Sequence, residues 1–85
     1  MLKRLIINKH FKFQFEKLQN SHVLLYPEGR ILLNDTATEI FKLCDGKNDI
    51  KGIKAELEKR YDNVDGLDDF VKEALTNKWL KEVIT

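Results

Sequence analysis

The hydrophobic period of this sequence changes once, at Asn34, and that change divides what the chain can form. Upstream, Phe11, Phe13 and Phe15 alternate with Lys12, Gln14 and Glu16. A period of two puts the rings on one face of a strand and the polar side chains on the other. Residues 17–21 are mostly polar and read as a turn. Two β-rich runs follow, His22-Val23-Leu24-Leu25-Tyr26 and Arg30-Ile31-Leu32-Leu33, joined by Pro27-Glu28-Gly29. Pro27 pre-sets φ for an early turn position and Gly29 can take φ > 0, so the join predicts a hairpin whose register these two residues set. The upstream part is thus a meander of three antiparallel strands.

Downstream, the apolar residues recur at helical spacing. Asn34, Asp35 and Thr36 are each suited to cap a helix, and Thr36-x-x-Glu39 fits a capping box. Ala37, Ile40, Phe41 and Cys44 form one stripe, and Gly46 stands where a residue just past a helix end would. A second helix is predicted over about residues 48–61, with Ile50, Ile53, Leu57 and Tyr61 on one face and Gly52 inside it. A third spans about residues 67–78, its stripe being Leu67, Phe70, Val71, Ala74 and Leu75. Trp79, Leu80, Val83 and Ile84 close the chain as a short strand or packed tail. The fold class is α+β, a three-stranded antiparallel sheet followed by three helices, winged helix-turn-helix-like. One feature sits badly with a lone small sheet. The second and third strands are apolar at consecutive positions, which implies burial of both faces. Local residues are the first expectation for covering the second face, ahead of Leu5-Ile6-Ile7, a twin subunit or another protein.

Size limits the chemistry. Residues 1–85 make one domain of 10.0 kDa. At that mass the folded surface should be about 5,200 Å² against about 14,500 Å² unfolded, so roughly 64% is buried. That suffices for one thin core without disulfides or metal and leaves little room for a deep pocket. A non-catalytic binding module is expected rather than a stand-alone enzyme. Cys44 is the only cysteine, on an apolar helix stripe, which fits a core residue in a reducing, cytoplasmic compartment. His10 and His22 match no common zinc spacing, and no phosphate loop, dinucleotide or hydrolase motif is present. No cofactor and no metal are expected. No apolar run approaches membrane-spanning length, and the start of the chain lacks a signal-peptide core.

Fifteen Lys and Arg against fourteen Asp and Glu give a net charge of +1. Residues 1–34 carry six basic and two acidic side chains, +4; residues 35–85 carry nine and twelve, −3. The third helix would be the DNA-reading one in a winged helix. Residues 65–78 hold Asp65, Asp68, Asp69 and Glu73 against Lys72 and Lys78, a net of −2 that would repel phosphate. A winged-helix DNA-binding regulator therefore ranks as the alternative from another class.

The run Phe13-Gln14-Phe15-Glu16, then Gln19 and His22-Val23-Leu24-Leu25-Tyr26-Pro27-Glu28-Gly29, closely resembles the PqqD family. So do Leu33-Asn34, Thr36-Ala37, Glu39-Ile40 and Cys44-Asp45-Gly46, and more loosely Ile50, Ile53, Leu57, Tyr61 and Trp79-Leu80. The resemblance implies a peptide chaperone of pyrroloquinoline quinone biosynthesis. Such a protein would bind the precursor peptide PqqA and present it to PqqE, a radical SAM enzyme that cross-links a Glu and a Tyr of that peptide. In related recognition elements of ribosomally made, modified peptides, the leader peptide adds as a strand to the third strand, beside the third helix. Carried over, the peptide-binding residues are Arg30, Ile31, Leu32, Leu33 and Asn34 on the strand, and Val71, Lys72, Leu75 and Lys78 on the helix. The expected partners are that peptide and enzyme, with no nucleic acid and no membrane, the protein itself being a monomer or weak homodimer. A recognition element of another modified-peptide pathway is the nearer alternative.

Overall fold

The computed structural model describes residues 3–62 and 64–84. Along the chain the elements are β1 (Lys3–Ile7), β2 (Lys12–Glu16), β3 (Ser21–Tyr26), β4 (Gly29–Leu32), α1 (Asp35–Leu43), β5 (Asp45–Asp49), α2 (Ile50–Glu58), α3 (Leu67–Thr76) and β6 (Leu80–Ile84). The expected meander is there: β2, β3 and β4 form an antiparallel sheet in that order. A second antiparallel sheet, in the order β5-β1-β6, was not expected as such. The strands therefore do not all precede the helices. β5 follows α1 and β6 follows α3, and both pair with β1, so the class is α+β with two small sheets.

The run Leu5-Ile6-Ile7 is the middle of this second sheet, with Leu5 3% exposed. β5 formed against its local propensity. Asp45-Gly46-Lys47-Asn48-Asp49 has no β-branched or aromatic residue. It is held by the edge that β1 offers, through an irregular register that pairs Arg4 with Asp49 and Ile6 with Asp45. Gly46, at φ 85°, belongs to this strand and does not end α1.

The helices carry the stripes read from the sequence. Ile40, Phe41, Ile53, Leu57, Leu67, Val71 and Ala74 are all buried, in one core with Leu5, Leu24, Leu33 and Leu80. α1 is capped by Asn34, whose side-chain oxygen accepts from the Ala37 N–H at 2.8 Å. The Thr36-x-x-Glu39 box gives way to this earlier cap. Asp49 caps α2 in the same manner, accepting from the Gly52 N–H at 2.9 Å.

On the first sheet, register sorts the side chains. Phe13, Leu24 and Ile31 lie in one row on the helix-facing side. Gln14, Val23 and Leu32 lie in the row on the opposite side. Val23 and Leu24 are both fully buried, so β3 does bury both faces. Arg30 on β4 makes an ion pair with Glu16 on β2. The register puts Val23 midway along the diagonal that joins them. The folded surface is 6053 Å², above the roughly 5,200 Å² expected from mass. The excess matches a flattened shape, 36 × 29 × 19 Å, with open sheet edges.

Two backbone positions give direct tests. Gly29 opens β4 opposite Tyr26, across the two-residue turn Pro27-Glu28, at φ 157°. Gly29→Val should lower the unfolding free energy in urea by more than about 1 kcal/mol, because the substituted backbone is strained while the space around it is not crowded. At the end of α3, the Trp79 N–H donates to the Ala74 carbonyl at 2.9 Å and the Lys78 N–H to the Leu75 carbonyl at 3.1 Å. This is a Schellman closure with lysine, at φ 66°, where glycine is the usual occupant. Lys78→Gly should stabilise by roughly 0.5–1 kcal/mol, the relief of left-handed strain less the added freedom of the unfolded chain.

Candidate functional site

β4 is an edge strand, paired on one side only among the described residues. The Leu33 N–H donates to the His22 carbonyl at 3.0 Å. Antiparallel pairing alternates, so Gly29, Ile31 and Leu33 turn their backbone groups toward β3. Arg30 and Leu32 turn theirs outward. The predicted strand residues thus divide by task. Leu33 is buried and Ile31 packs against the core, so both hold the strand down. Arg30 and Leu32 present the free backbone. Leu32 is 57% exposed, an apolar side chain left on the open edge. Asn34 is committed to capping α1.

Beyond Asn34 the edge runs into an apolar pocket of about 130 Å³. Asn34, Ala37, Ile40, Leu57, Leu67 and Phe70 are among its walls, with Gly66 at the start of α3. The pocket brings the end of the predicted strand together with α3, but through Phe70. Phe70 packs its ring edge-on to Phe41 at 5.8 Å. Of the predicted helix residues, Val71 is 4% exposed and belongs to the core. Its place on the wall falls to Phe70, which the sequence reading assigned to the core. Leu75 is half-buried on the other flank of the helix, and Lys72 is exposed roughly 160° around the axis from Phe70. Lys78 is exposed just past the helix end.

A second, larger concavity of about 370 Å³ opens between the β2–β3 turn and α1, lined by Phe15, His22, Asp35, Thr38, Lys42 and Tyr61 among others. His22 is half-buried at this wall. It stacks on Phe13 at 5.1 Å and meets Phe15 edge-on at 5.2 Å. Glu39, also at this concavity, is engaged by Lys42 at 3.3 Å and by Arg60. The Ser21 hydroxyl donates to the Gln19 carbonyl at 3.2 Å. The basin is roomier than the size argument allowed, but it is open, and two of its charged groups, Glu39 and Lys42, are paired with each other. Among the described residues, no three His, Cys, Asp or Glu side chains are grouped to hold a metal ion, and no helix is long and apolar enough to cross a membrane.

The family described as coenzyme PQQ synthesis protein D (PqqD) matches residues 21–80. That span holds β3, β4, all three helices and the pocket. A PqqA binding protein of Pseudomonas paraeruginosa is 44% identical, covering 89% of this chain and 87% of the relative. One of Methylococcus capsulatus is 43% identical, covering 86% and 82%. The solved structure of the heterocyclase TruD superposes with a TM-score of 0.72 at 19% identity. It takes in 95% of this chain but 12% of that one, and it shows a shared fold.

Cys44 lies outside the site, 3% exposed, with its thiol donating to the Ile40 carbonyl at 3.2 Å. Burial, aided by the neighbouring Asp45 charge, pushes the thiol up to about 12 from an ordinary value of 9.0. The unfolded chain loses this proton near the ordinary value and the folded chain keeps it to higher pH. The unfolded state then binds fewer protons, so stability is full below pH 9 and falls as pH rises toward 12, by up to about 1.4 kcal/mol per pH unit. Urea titrations of wild type and Cys44→Ala between pH 8 and pH 10.5 should differ in slope, the variant falling less steeply.

Proposed function

The chain belongs to the coenzyme PQQ synthesis protein D family, and from that membership we propose that it binds the precursor peptide PqqA as a strand added along β4 and presents it to the radical SAM enzyme PqqE. The observation that carries the mode of binding is the open β4 edge, with Leu32 exposed on it and an apolar pocket at its end. The outward N–H and C=O groups of Arg30 and Leu32 offer four hydrogen bonds to an antiparallel strand. Each nets only about 0.5–1.5 kcal/mol, and ordering a flexible peptide costs about 2–5 kcal/mol or more. Apolar burial must therefore contribute, and the pocket beside Phe70 suits one aliphatic side chain of the peptide. Backbone pairing places few demands on sequence, so the pocket supplies the choice.

In this reading Arg30, Ile31, Leu32, Leu33 and Asn34 form the strand side of the site. Leu75, Lys72 and Lys78 contact the peptide past the other flank of α3, with Val71 supporting them from the core. The two lysines would add at most about 1 kcal/mol per exposed ion pair to acidic residues of the peptide. The domain is a winged helix-turn-helix-like module used for peptide, not nucleic acid, since the charge over residues 65–78 disfavours phosphate. It works in the cytoplasm, without a cofactor, and leaves the chemistry to the enzyme.

Amide hydrogen exchange with and without PqqA peptide tests this at single residues. The Arg30 and Leu32 amides should gain protection on binding, while those of Ile31 and Leu33, already paired to β3, should change little. Protection appearing instead on Phe13 and Phe15 would move the peptide to the opposite edge and overturn the assignment.

A further inference from the structure

The basin between the β2–β3 turn and α1 takes no part in the peptide reading, because α1 separates the two cavities. Asp35, Thr38, Glu39 and Lys42, spaced i, i+3, i+4 and i+7, line the basin, while Ala37 and Ile40 line the pocket at the end of the β4 edge. A strand added along β4 runs to the pocket side of the helix and leaves the basin open.

Two kinds of group line it. Phe15, His22 and Tyr61 bring aromatic rings. Asp35 and Thr38 bring polar groups, and among the described residues neither side chain has a hydrogen bond or ion pair. Thr38 is the more telling of the two. It is 7% exposed, the buried polar residue among the described ones. No buried side-chain oxygen among them is sealed off without a partner, so the Thr38 hydroxyl opens into the basin that it lines. A hydroxyl so placed has given up most of its water and stands ready to pair with a guest.

Charge decides the class of guest. Glu39 is held by both Lys42 and Arg60, and the N-terminal end of α1 is the positive end of its dipole. A cationic guest meets all three. An anionic guest meets the carboxylates of Asp35 and Glu39. A neutral ring that carries a hydroxyl meets neither opposition. Its face packs against Phe15 and Tyr61, its O–H donates to the Asp35 carboxylate, and its oxygen accepts from the Thr38 hydroxyl. A bare phenyl ring leaves both groups unpaired, and an indole N–H donates but accepts nothing. We propose that the basin is a second binding site, one that takes the phenol side chain of a tyrosine presented by a partner protein.

The rim points to a protein as the source of the phenol. Leu18, 96% exposed, lies in the turn between Phe15 and Asn20, which both line the basin, and Phe15 is itself 50% exposed. A free phenol would leave Leu18 in water, whereas a protein surface around the tyrosine covers it. Tyrosine is also a favoured anchor at protein interfaces, with an apolar body and a polar tip.

Tyrosine analogues test the site without peptide or enzyme. When the isotope-labelled chain is titrated with N-acetyl-tyrosine amide, the backbone amide resonances of His22, Thr38 and Tyr61 should shift, and those of Arg30, Leu32 and Phe70 should not. N-acetyl-phenylalanine amide should bind at least about fivefold more weakly, since it forms neither hydrogen bond. Thr38→Val, which keeps the shape and removes the hydroxyl, should narrow that preference to under about twofold. Asp35→Ala, at an exposed position, should narrow it as well and gives the reading if the valine variant does not fold. Equal affinity for the two analogues, tighter binding of N-acetyl-arginine amide, a preference unchanged in the variants, or shifts absent from the basin would each overturn the proposal. Because PqqA is absent throughout, these results stand or fall separately from protection at Arg30 and Leu32.

Discussion

Complete burial of two consecutive residues, Val23 and Leu24, is the constraint from which the rest of this structure follows. A strand in which neighbours point to opposite faces can bury both only if each face has its own cover. Leu24 is covered by the helices, in the row with Phe13 and Ile31. Val23 stands outside that core cluster, and the register puts it midway along the diagonal from Arg30 to Glu16. The ion pair is exposed and its charge adds little. The arrangement also changes what fixes register. When one face is apolar, a one-residue slip exposes the core and is heavily penalised. Here both faces are apolar and that penalty is blunted. Register falls to the Pro27-Glu28 turn, to Gly29 and to the cross-sheet ion pair.

The period change at Asn34 made the meander and the three helices legible, because each element there agrees with its own hydrophobic pattern. The second sheet was hidden for a physical reason. Its middle strand, Leu5-Ile6-Ile7, is apolar without alternation, and β5 is made of residues that seldom form strands. Only the unfilled edge of β1 explains β5, and an edge is a property of the assembled fold. The cap of α1 shows the same limit at smaller scale. Asn34 and Thr36 are equally good caps in sequence. Asn34 takes the role where β4 ends, and Glu39, the other half of the Thr36 box, is drawn to Lys42 and Arg60.

Of the candidate site, the strand was legible and the helix was not. A free edge follows from strand count and order, which the sequence supplied. The wall offered by α3 depends on how the helix is rotated, and adjacent residues differ by 100°. Val71 and Phe70 both belong to the apolar stripe. The core took Val71, between Leu67 and Ala74, and left Phe70 at the margin against Phe41. His22 shows how parity decides a side chain's surroundings. It stands at the start of a strand, where water is near. Its parity nevertheless matches Leu24, and that places its ring among Phe13 and Phe15.

A chain this small has little interior to lend to a ligand, so recognition moves to the perimeter of its sheet. An open edge is also a hazard, since unpaired backbone groups template any extended chain. Both edges of the first sheet limit that hazard by length and charge. β4 has four residues, carries Arg30, and ends in a helix cap, so a partner strand finds few outward groups before it must turn into the pocket beside Phe70. β2 has five, closed by Lys12 at one end and Glu16 at the other. Charges at the ends of an edge disfavour most registers of an added strand. At β4 the features that keep the edge from pairing at random are therefore the same ones that select a partner.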